Sequence, residues 1–159
     1  MTLWKNFKSK SCTIGLGAPT KDEVLAECVA QLIVGQELSE ALRASAVTAL
    51  LEREKLGSTG IGMNVAIPHV KLKGLERTAC SLSVHAAGVE WQAVDGAPVH
   101  LVFTVLRPEK ATDQHDPEKH LEMMKGIARL ARDGDFRRFA LRVKTKAELM
   151  DLLKEKSSF

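Results

Sequence analysis

The chain of 159 residues has the length of one domain, and its 45% apolar and 27% charged residues are typical of a globular protein. Its net charge of +3 is small and no basic stripe is interleaved with aromatic residues, which argues against a nucleic-acid-binding protein. The longest apolar run, LVFTVL at 101–106, is too short for a membrane span, and we expect neither a signal peptide nor direct membrane insertion. Cys12, Cys28 and Cys80 form no CxxC pair, which predicts reduced thiols in a cytoplasmic protein.

The first half of the chain predicts two helices followed by a strand. Thr20 and Glu23 form a capping box that opens a helix over 20–35, which a glycine ends. A second helical pattern covers 38–57 and also ends at a glycine. The segment GIGMNVAIPH at 60–69 alternates apolar residues with a period of two, which predicts one strand that reaches the proline.

The second half predicts two further strands and then helices. TACSLSVHA at 78–86 alternates apolar and polar residues and predicts a strand exposed on one face. VHLVFTVL at 99–106 is apolar on both faces, which is typical of a central strand. After a polar loop at 107–119, Asp116-Pro117 opens a helix that the glycine of ARDG ends. A capping box begins the last helix, over 145–155.

Helices before, between and after the strands predict an α/β fold. We expect a single compact domain with a mixed β-sheet flanked by helices on both faces. The predicted boundaries place the domain at 12–155, with an N-terminal extension at 1–11 and a C-terminal tail at 156–159.

Five histidines are the first candidates for chemistry, because imidazole changes its charge near neutral pH. We expect His85 and His115 to be solvated, and His100 to be a satisfied core or sheet-edge residue. No pair has HxxxH or HxH spacing, so the sequence predicts neither a metal site nor a cofactor.

His69 and His120 are the stronger candidates. Pro68 has a fixed backbone angle and no N–H, so it ends a strand and presents His69 from a rigid backbone. His120 falls in the first turn of a predicted helix, where the dipole and unpaired amides favour an anion and a neutral imidazole. The alternatives are an incidental histidine at a strand-end turn and an exposed first-turn histidine.

A longer motif surrounds His69. LEREKLGSTGIGMNVAIPH at 51–69 resembles the phosphoacceptor segment of the enzyme IIA domains of the bacterial sugar phosphotransferase system, fructose/mannitol class, which includes nitrogen-regulatory relatives. Arg-Glu, Ser-Thr-Gly-Ile-Gly and Ala-Ile-Pro-His all match that family's pattern. The resemblance continues through VDGAPVHLVFTVL and KHLEMMKGIARLARDGDFRR and covers 12–155. The chain departs from the pattern at Asn64 and Val70, where the family often has glycine, and in a longer loop before His120.

The resemblance implies a phosphotransferase with a phosphohistidine intermediate. His69 then accepts a phosphoryl group from an HPr-like phosphohistidine carrier protein and passes it to a cysteine of a IIB domain. The family's arginine corresponds to Arg53, and its second active-site histidine to His120. The alternative is a nitrogen-regulatory module, in which phosphorylation of His69 controls binding to a kinase, a transporter or a transcription factor.

The residue types also suit phosphoryl transfer chemically. Neutral imidazole is a competent nucleophile near pH 7, and Arg53 offers a planar fork for phosphoryl oxygens. The GSTGIG stretch supplies backbone amides and the hydroxyls of Ser58 and Thr59, which we expect to bind phosphate oxygens. Without the resemblance, a glycine-rich stretch of this kind is more often a simple connector. The alternative for Arg53 is that its charge only stabilises the C-terminal end of the helix dipole. A second imidazole at His120 favours neutral rings and adds a donor.

Overall fold

A computed structural model describes residues 2–158 of the chain. The helices are α1 (Lys21–Val34), α2 (Arg43–Leu56), α3 (Pro117–Arg132), α4 (Gly134–Ala140) and α5 (Lys146–Lys156). The strands are β1 (Gly60–Gly62), β2 (Val65–Ala66), β3 (His69–Leu72), β4 (Ala79–Val89) and β5 (Val99–Pro108). Short 3-10 turns cover Leu3–Asn6, Ser9–Ser11 and Glu40–Leu42.

Strand β5 is the centre of the sheet, as its two apolar faces predict. β4 lies antiparallel along one side of it. Along the other side, β2 and β3 follow one another in parallel pairing, with Val65 opposite Leu101 and His69 opposite Val105. β1 pairs antiparallel with β2 at the edge. The sheet is therefore mixed.

The prediction of one strand over 60–69 is wrong. Met63 and Asn64 have φ angles of 60° and 65°, so the chain turns back there and forms the β1–β2 hairpin. Pro68 does not end the pairing with β5 either, because its carbonyl accepts a hydrogen bond from the amide of Val105 at 2.9 Å. The proline interrupts the strand for two residues, and the pairing resumes at β3.

The prediction that β4 exposes one face is also wrong. Ser81, Ser83 and His85 are all buried, because α1 covers the face on which they lie. The Nε2 of His85 is 2.8 Å from the carbonyl of Ala18, so His85 is a buried, hydrogen-bonded residue rather than a solvated one. The carbonyl of His85 in turn lies 3.0 Å from Nδ1 of His100, which fits the satisfied histidine expected there.

Two apolar clusters, one on each face of the sheet, confirm the predicted fold class. Odd-numbered β5 residues such as Leu101, Phe103 and Val105 face α3, α4 and α5. Even-numbered residues such as Val102 and Leu106 face α1 and α2. No helix within residues 2–158 combines the length and the apolar character that a membrane span requires.

The helix ends follow the predicted caps with one exception. Thr20 and Thr145 each accept a hydrogen bond from the amide of the glutamate three residues later. In ARDG, however, the glycine does not end a helix. α3 ends at Arg132, and Asp133 caps a further helix, α4, of which Gly134 is the first residue.

The segment predicted as an N-terminal extension packs against the domain. Leu3 and Phe7 are buried, and the ring of Phe7 lies 6.1 Å from that of Phe103 in an edge-to-face arrangement. The amide of Leu3 donates to the carbonyl of Ser157 at 3.2 Å. Residues from both predicted flanks therefore contact the core and each other.

Candidate active site

His69 is the first residue of β3 and lies half-buried beside the central strand. The pairing of its strand with β5, on both sides of Pro68, fixes the backbone that carries it. Its Nε2 is 3.1 Å from the Nε2 of His120, and the ring centroids are 5.1 Å apart. One imidazole donates to the other at this distance.

The start of α3 brings His120 to this position. The Asp116 side chain accepts a hydrogen bond from the amide of Glu118, and Pro117 occupies the first turn. The amide of His120 donates to the Asp116 carbonyl at 3.0 Å, so the histidine lies on a regular first turn. Its ring points away from the helix to His69.

Two residues on the other side of His120 extend the contact. Thr78 precedes β4, and its Oγ1 lies 3.5 Å from Nδ1 of His120 and 3.3 Å from Nδ1 of His115. The rings of His115 and His120 are 5.4 Å apart. The prediction of a solvated His115 is therefore wrong, because His115 is half-buried against the site. The sequence does not identify Thr78 as a site residue, because its place in the alternating pattern of 78–86 gives no sign that a helix lies nearby.

Both central imidazoles are held neutral at pH 7. Burial, followed by the charges of Arg107 and Arg53, lowers the pKa of His69 to about 4. Burial and the neighbouring His69, together with Arg107 and His115, lower the pKa of His120 to about 4. A lowered imidazole pKa leaves the lone pair available across the physiological pH range.

Arg53 lies in the last turn of α2, and its Nη1 donates to the carbonyl of Gly57 at 2.6 Å. It shares with His69 an open groove of about 490 Å³, which Leu56 and Val70 also line. Its positive charge contributes to the lowered pKa of His69. The structure thus brings Arg53, His69 and His120 into one region.

Ser58 and Thr59 lie in a different hydrogen-bond network. Ser58 donates to the carbonyl of Trp91 at 3.0 Å, and Thr59 donates through its hydroxyl to Glu54 and accepts from the indole of Trp91 at 3.1 Å. Glu54 also pairs with Lys21 at 3.1 Å. Within residues 2–158, neither hydroxyl has a hydrogen bond to an imidazole, and their phosphate-binding role stays a prediction.

Arg107 is a further residue near the pair that the sequence did not point to. The predicted polar loop at 107–119 includes Arg107, whereas in the structure β5 continues through it to Pro108. Its charge lowers the pKa of both His69 and His120. Among residues 2–158, no group of three or more His, Cys, Asp or Glu side chains is arranged to hold a metal ion.

A family model described as the phosphoenolpyruvate-dependent sugar phosphotransferase system, EIIA 2, matches residues 5–156. The chain belongs to this family. Within the EIIA 2 family, it is 42% identical over 105 residues to a nitrogen regulatory protein of Pseudomonas aeruginosa, covering 66% of this chain and 65% of that one. The match thus spans just under two thirds of that relative's length.

Two other similar proteins are a fructose-specific component and a second nitrogen regulatory protein. A fructose-specific EIIA component from Haloferax volcanii is 31% identical over 113 residues, covering 71% of this chain and 70% of the relative. The crystal structure of IIA-Ntr from Neisseria meningitidis is 28% identical, has a TM-score of 0.79, and covers 96% of this chain and 99% of that one. EIIA 2 domains transfer phosphoryl groups. The mannitol IIA of Escherichia coli, 19% identical to this chain and similar in fold with a TM-score of 0.69, has been solved in complex with phosphorylated IIB. The family and the fold predicted from the sequence are both confirmed.

Proposed function

We propose that the protein is a cytoplasmic phosphocarrier of the sugar phosphotransferase system. His69 accepts a phosphoryl group from an HPr-like phosphohistidine carrier and passes it to a cysteine of a IIB domain. The contact of 3.1 Å between the Nε2 atoms of His69 and His120 carries this proposal. Both rings are neutral at pH 7 and Arg53 lines an open groove together with His69, which suits an acceptor for a phosphoryl group.

The hydrogen bonds support Nε2 of His69 as the nitrogen that reacts. With the hydroxyl of Thr78 donating to Nδ1 of His120, the Nε2–H of His120 donates to Nε2 of His69. His69 then carries its own proton on Nδ1 and holds a lone pair on Nε2. When a phosphoryl group arrives at Nε2, the same Nε2–H of His120 is placed to donate to one of its oxygens.

The transfer is a displacement at phosphorus in two halves. The Nε2 lone pair of His69 attacks the phosphorus, an N–P bond forms, and the N–P bond of the carrier breaks. The carrier's ring, protonated on its other nitrogen, leaves as a neutral imidazole, and His69 keeps its Nδ1 proton. A IIB thiolate then attacks the same phosphorus, and the electron pair of the broken N–P bond returns to His69. Arg53 balances the charge of the oxygens throughout.

Incubation with a phosphorylated HPr-type carrier tests the proposal. We expect one acid-labile, base-stable phosphoryl group per chain, and its complete loss in His69→Ala. The matched control is His100→Gln, which removes an imidazole that bonds the carbonyl of His85 outside the site. Uptake that survives in His69→Ala would exclude His69 as the acceptor.

A second candidate function is a nitrogen-regulatory module whose binding to a kinase, a transporter or a transcription factor depends on phosphorylation of His69. The similarity to proteins named as nitrogen regulatory proteins favours it, at 42% identity in one case and with a TM-score of 0.79 in another. Mixing the phosphorylated protein with a fructose-type IIB domain separates the two. Appearance of phosphocysteine on IIB supports the carrier, whereas retention of phosphohistidine supports the regulator.

A further inference from the structure

We infer that Arg107 is a second guanidinium of the phosphoryl site, positioned to bind the oxygens of the group carried by His69. This inference rests on the proposed function and adds a phosphate-binding residue to it.

The register places Arg107 between the two sides of the site. Lys71, two residues after His69 on β3, pairs with Arg107 of β5. On the other side, Ala79 of β4 pairs with Leu106, so Thr78 falls opposite Arg107 when that register is continued by one residue. Arg107 therefore lies between Thr78 on β4's side and, two residues from its own pairing partner Lys71, His69 on β3; His120 contacts both Thr78 and His69.

The side chain of Arg107 lies on the same face of the sheet as the histidine pair. Alternate residues of β5 share a face, and Phe103 and Val105 pack into the cluster that includes α3 residues. Arg107 is next in that series, while Leu106 belongs to the opposite cluster. α3, which carries His120, covers the face on which Arg107 lies.

The Nε of Arg107 is an unpartnered donor. It is buried from solvent and has no hydrogen-bond partner within residues 2–158. No carboxylate in this described part of the chain forms an ion pair with Arg107. Buried polar groups are nearly always hydrogen-bonded, so a buried Nε–H of a charged side chain without a partner calls for a bound acceptor. A phosphoryl group on the neighbouring His69 supplies three acceptor oxygens.

Arg53 and Arg107 approach the phosphoryl site from different layers. Arg53 lies in the last turn of α2, which packs on the α1–α2 face of the sheet, whereas Arg107 lies on the α3 face. Burial is the main reason that the pKa values of both imidazoles are lowered, and the charge of Arg107 adds to this effect at each of them. One planar guanidinium fork binds two oxygens of a phosphoryl group from one side, so a second guanidinium on another side can bind the third oxygen.

The test compares Arg107→Gln with Arg107→Lys, using Arg142→Gln as the control. Arg142 is an exposed arginine of the α4–α5 connection and lies outside the site. With a phosphorylated HPr-type carrier or phosphoramidate as donor, we expect Arg107→Gln to take up phosphate roughly 100-fold more slowly, the size of effect seen for one preorganised donor. Arg107→Lys is expected to recover part of the rate, and Arg142→Gln to match the unmodified protein.

A readout that a merely structural arginine would not change is the titration of the phosphoryl group itself. ³¹P NMR on phosphorylated His69 measures the pKa of the phosphoryl group. We expect this pKa to rise in Arg107→Gln and to stay constant in Arg142→Gln, because a nearby guanidinium stabilises the dianion. Equal rates and equal ³¹P titrations for Arg107→Gln and Arg142→Gln would overturn the inference.

Titration with inorganic phosphate separates this inference from the proposed function. In the unphosphorylated protein, phosphate is expected to shift the imidazole resonances of His69, with an affinity about 10-fold weaker in Arg107→Gln. Unmodified protein that binds phosphate in this way but takes no phosphoryl group from either donor would contradict the proposed function alone. Equal phosphate affinity in the unmodified protein and Arg107→Gln would contradict the role of Arg107.

Discussion

Two imidazole nitrogens 3.1 Å apart cannot both carry protons without repulsion. His69 and His120 avoid this repulsion because both rings are neutral: partial burial and the neighbouring arginines disfavour the imidazolium form. Under the proposed function, the cations that keep His69 uncharged are also those that phosphoryl oxygens require. One set of charges would then prepare the acceptor before transfer and stabilise the phosphorylated state after it.

The lowered pKa values predict how the histidine pair responds to pH. An ordinary imidazole with a pKa of about 6.5 is only about 10% neutral at pH 5.5. Because the pKa of His69 is lowered to about 4, its ring stays largely neutral at that pH. ¹H–¹⁵N NMR titration should therefore show His69 and His120 protonating only as the pH falls towards 4. Midpoints for both near 6.5 would show that burial and the arginines do not act on the pair.

Arg53 permits a separate prediction at the residue scale. Arg53→Gln should slow phosphoryl uptake on the order of 100-fold, because it removes a fixed charge from the groove beside His69. Arg43→Gln, on the first turn of the same helix, is the matched control, since Arg43 pairs with Glu40 at 2.7 Å. Rapid-quench measurement of uptake gives both rates. If the two variants react equally fast, Arg53 has no part in transfer.

At the scale of elements, local signals were predictable from the sequence and tertiary ones were not. The caps at Thr20, Asp116 and Thr145 were found because each depends on residues within one turn. The prediction of an exposed face on β4 was wrong because α1 covers that face, and no pattern within β4 indicates this contact. The β1–β2 turn was hidden because Met63 and Asn64 continue the alternation of a single strand while adopting positive φ.

The candidate site divides in the same way. His69, His120 and Arg53 could be named because they lie in contiguous motifs of a recognisable family. Thr78 and Arg107 could not be, since they meet the histidines only through the pairing of β3, β4 and β5. Strand register depends on the whole sheet, so residues that converge by register remain invisible in one sequence.

The β1–β2 turn leads to a prediction about stability. Asn64 has a φ of 65° and donates through its side chain to the carbonyl of Pro98 at 2.8 Å. Asn64→Val should lower the free energy of unfolding by about 2 kcal/mol, because a β-branched residue resists positive φ and the hydrogen bond is lost. Asn64→Gly loses the same bond without the strain and should lower it by about 1 kcal/mol. Urea unfolding measures both variants. Equal stability of Asn64→Val and Asn64→Gly would argue against backbone strain at this position.

At the scale of the whole molecule, residues near the two ends of the chain close the α3–α5 layer together. Leu3 and Phe7 belong to the same buried cluster as Phe103 of the central strand. Lys154 of α5 lies with its Nζ 4.9 Å from the ring centroid of Trp4. The helix that carries His120 packs on this cluster too, so the first residues of the chain support the layer from which His120 approaches the site.

This arrangement predicts that residues 1–11 cannot be separated from the domain. Phe7→Ala should lower the free energy of unfolding by about 3 kcal/mol, because it removes a buried aromatic ring and leaves a cavity next to Phe103. Phe139→Ala is the matched control: its side chain is 44% exposed, so the same truncation should change stability by less than about 1 kcal/mol. Urea denaturation of both variants gives the comparison. If the two variants unfold at the same urea concentration, the N-terminal segment contacts the domain without stabilising it. The predicted domain boundary at residue 12 would then be correct.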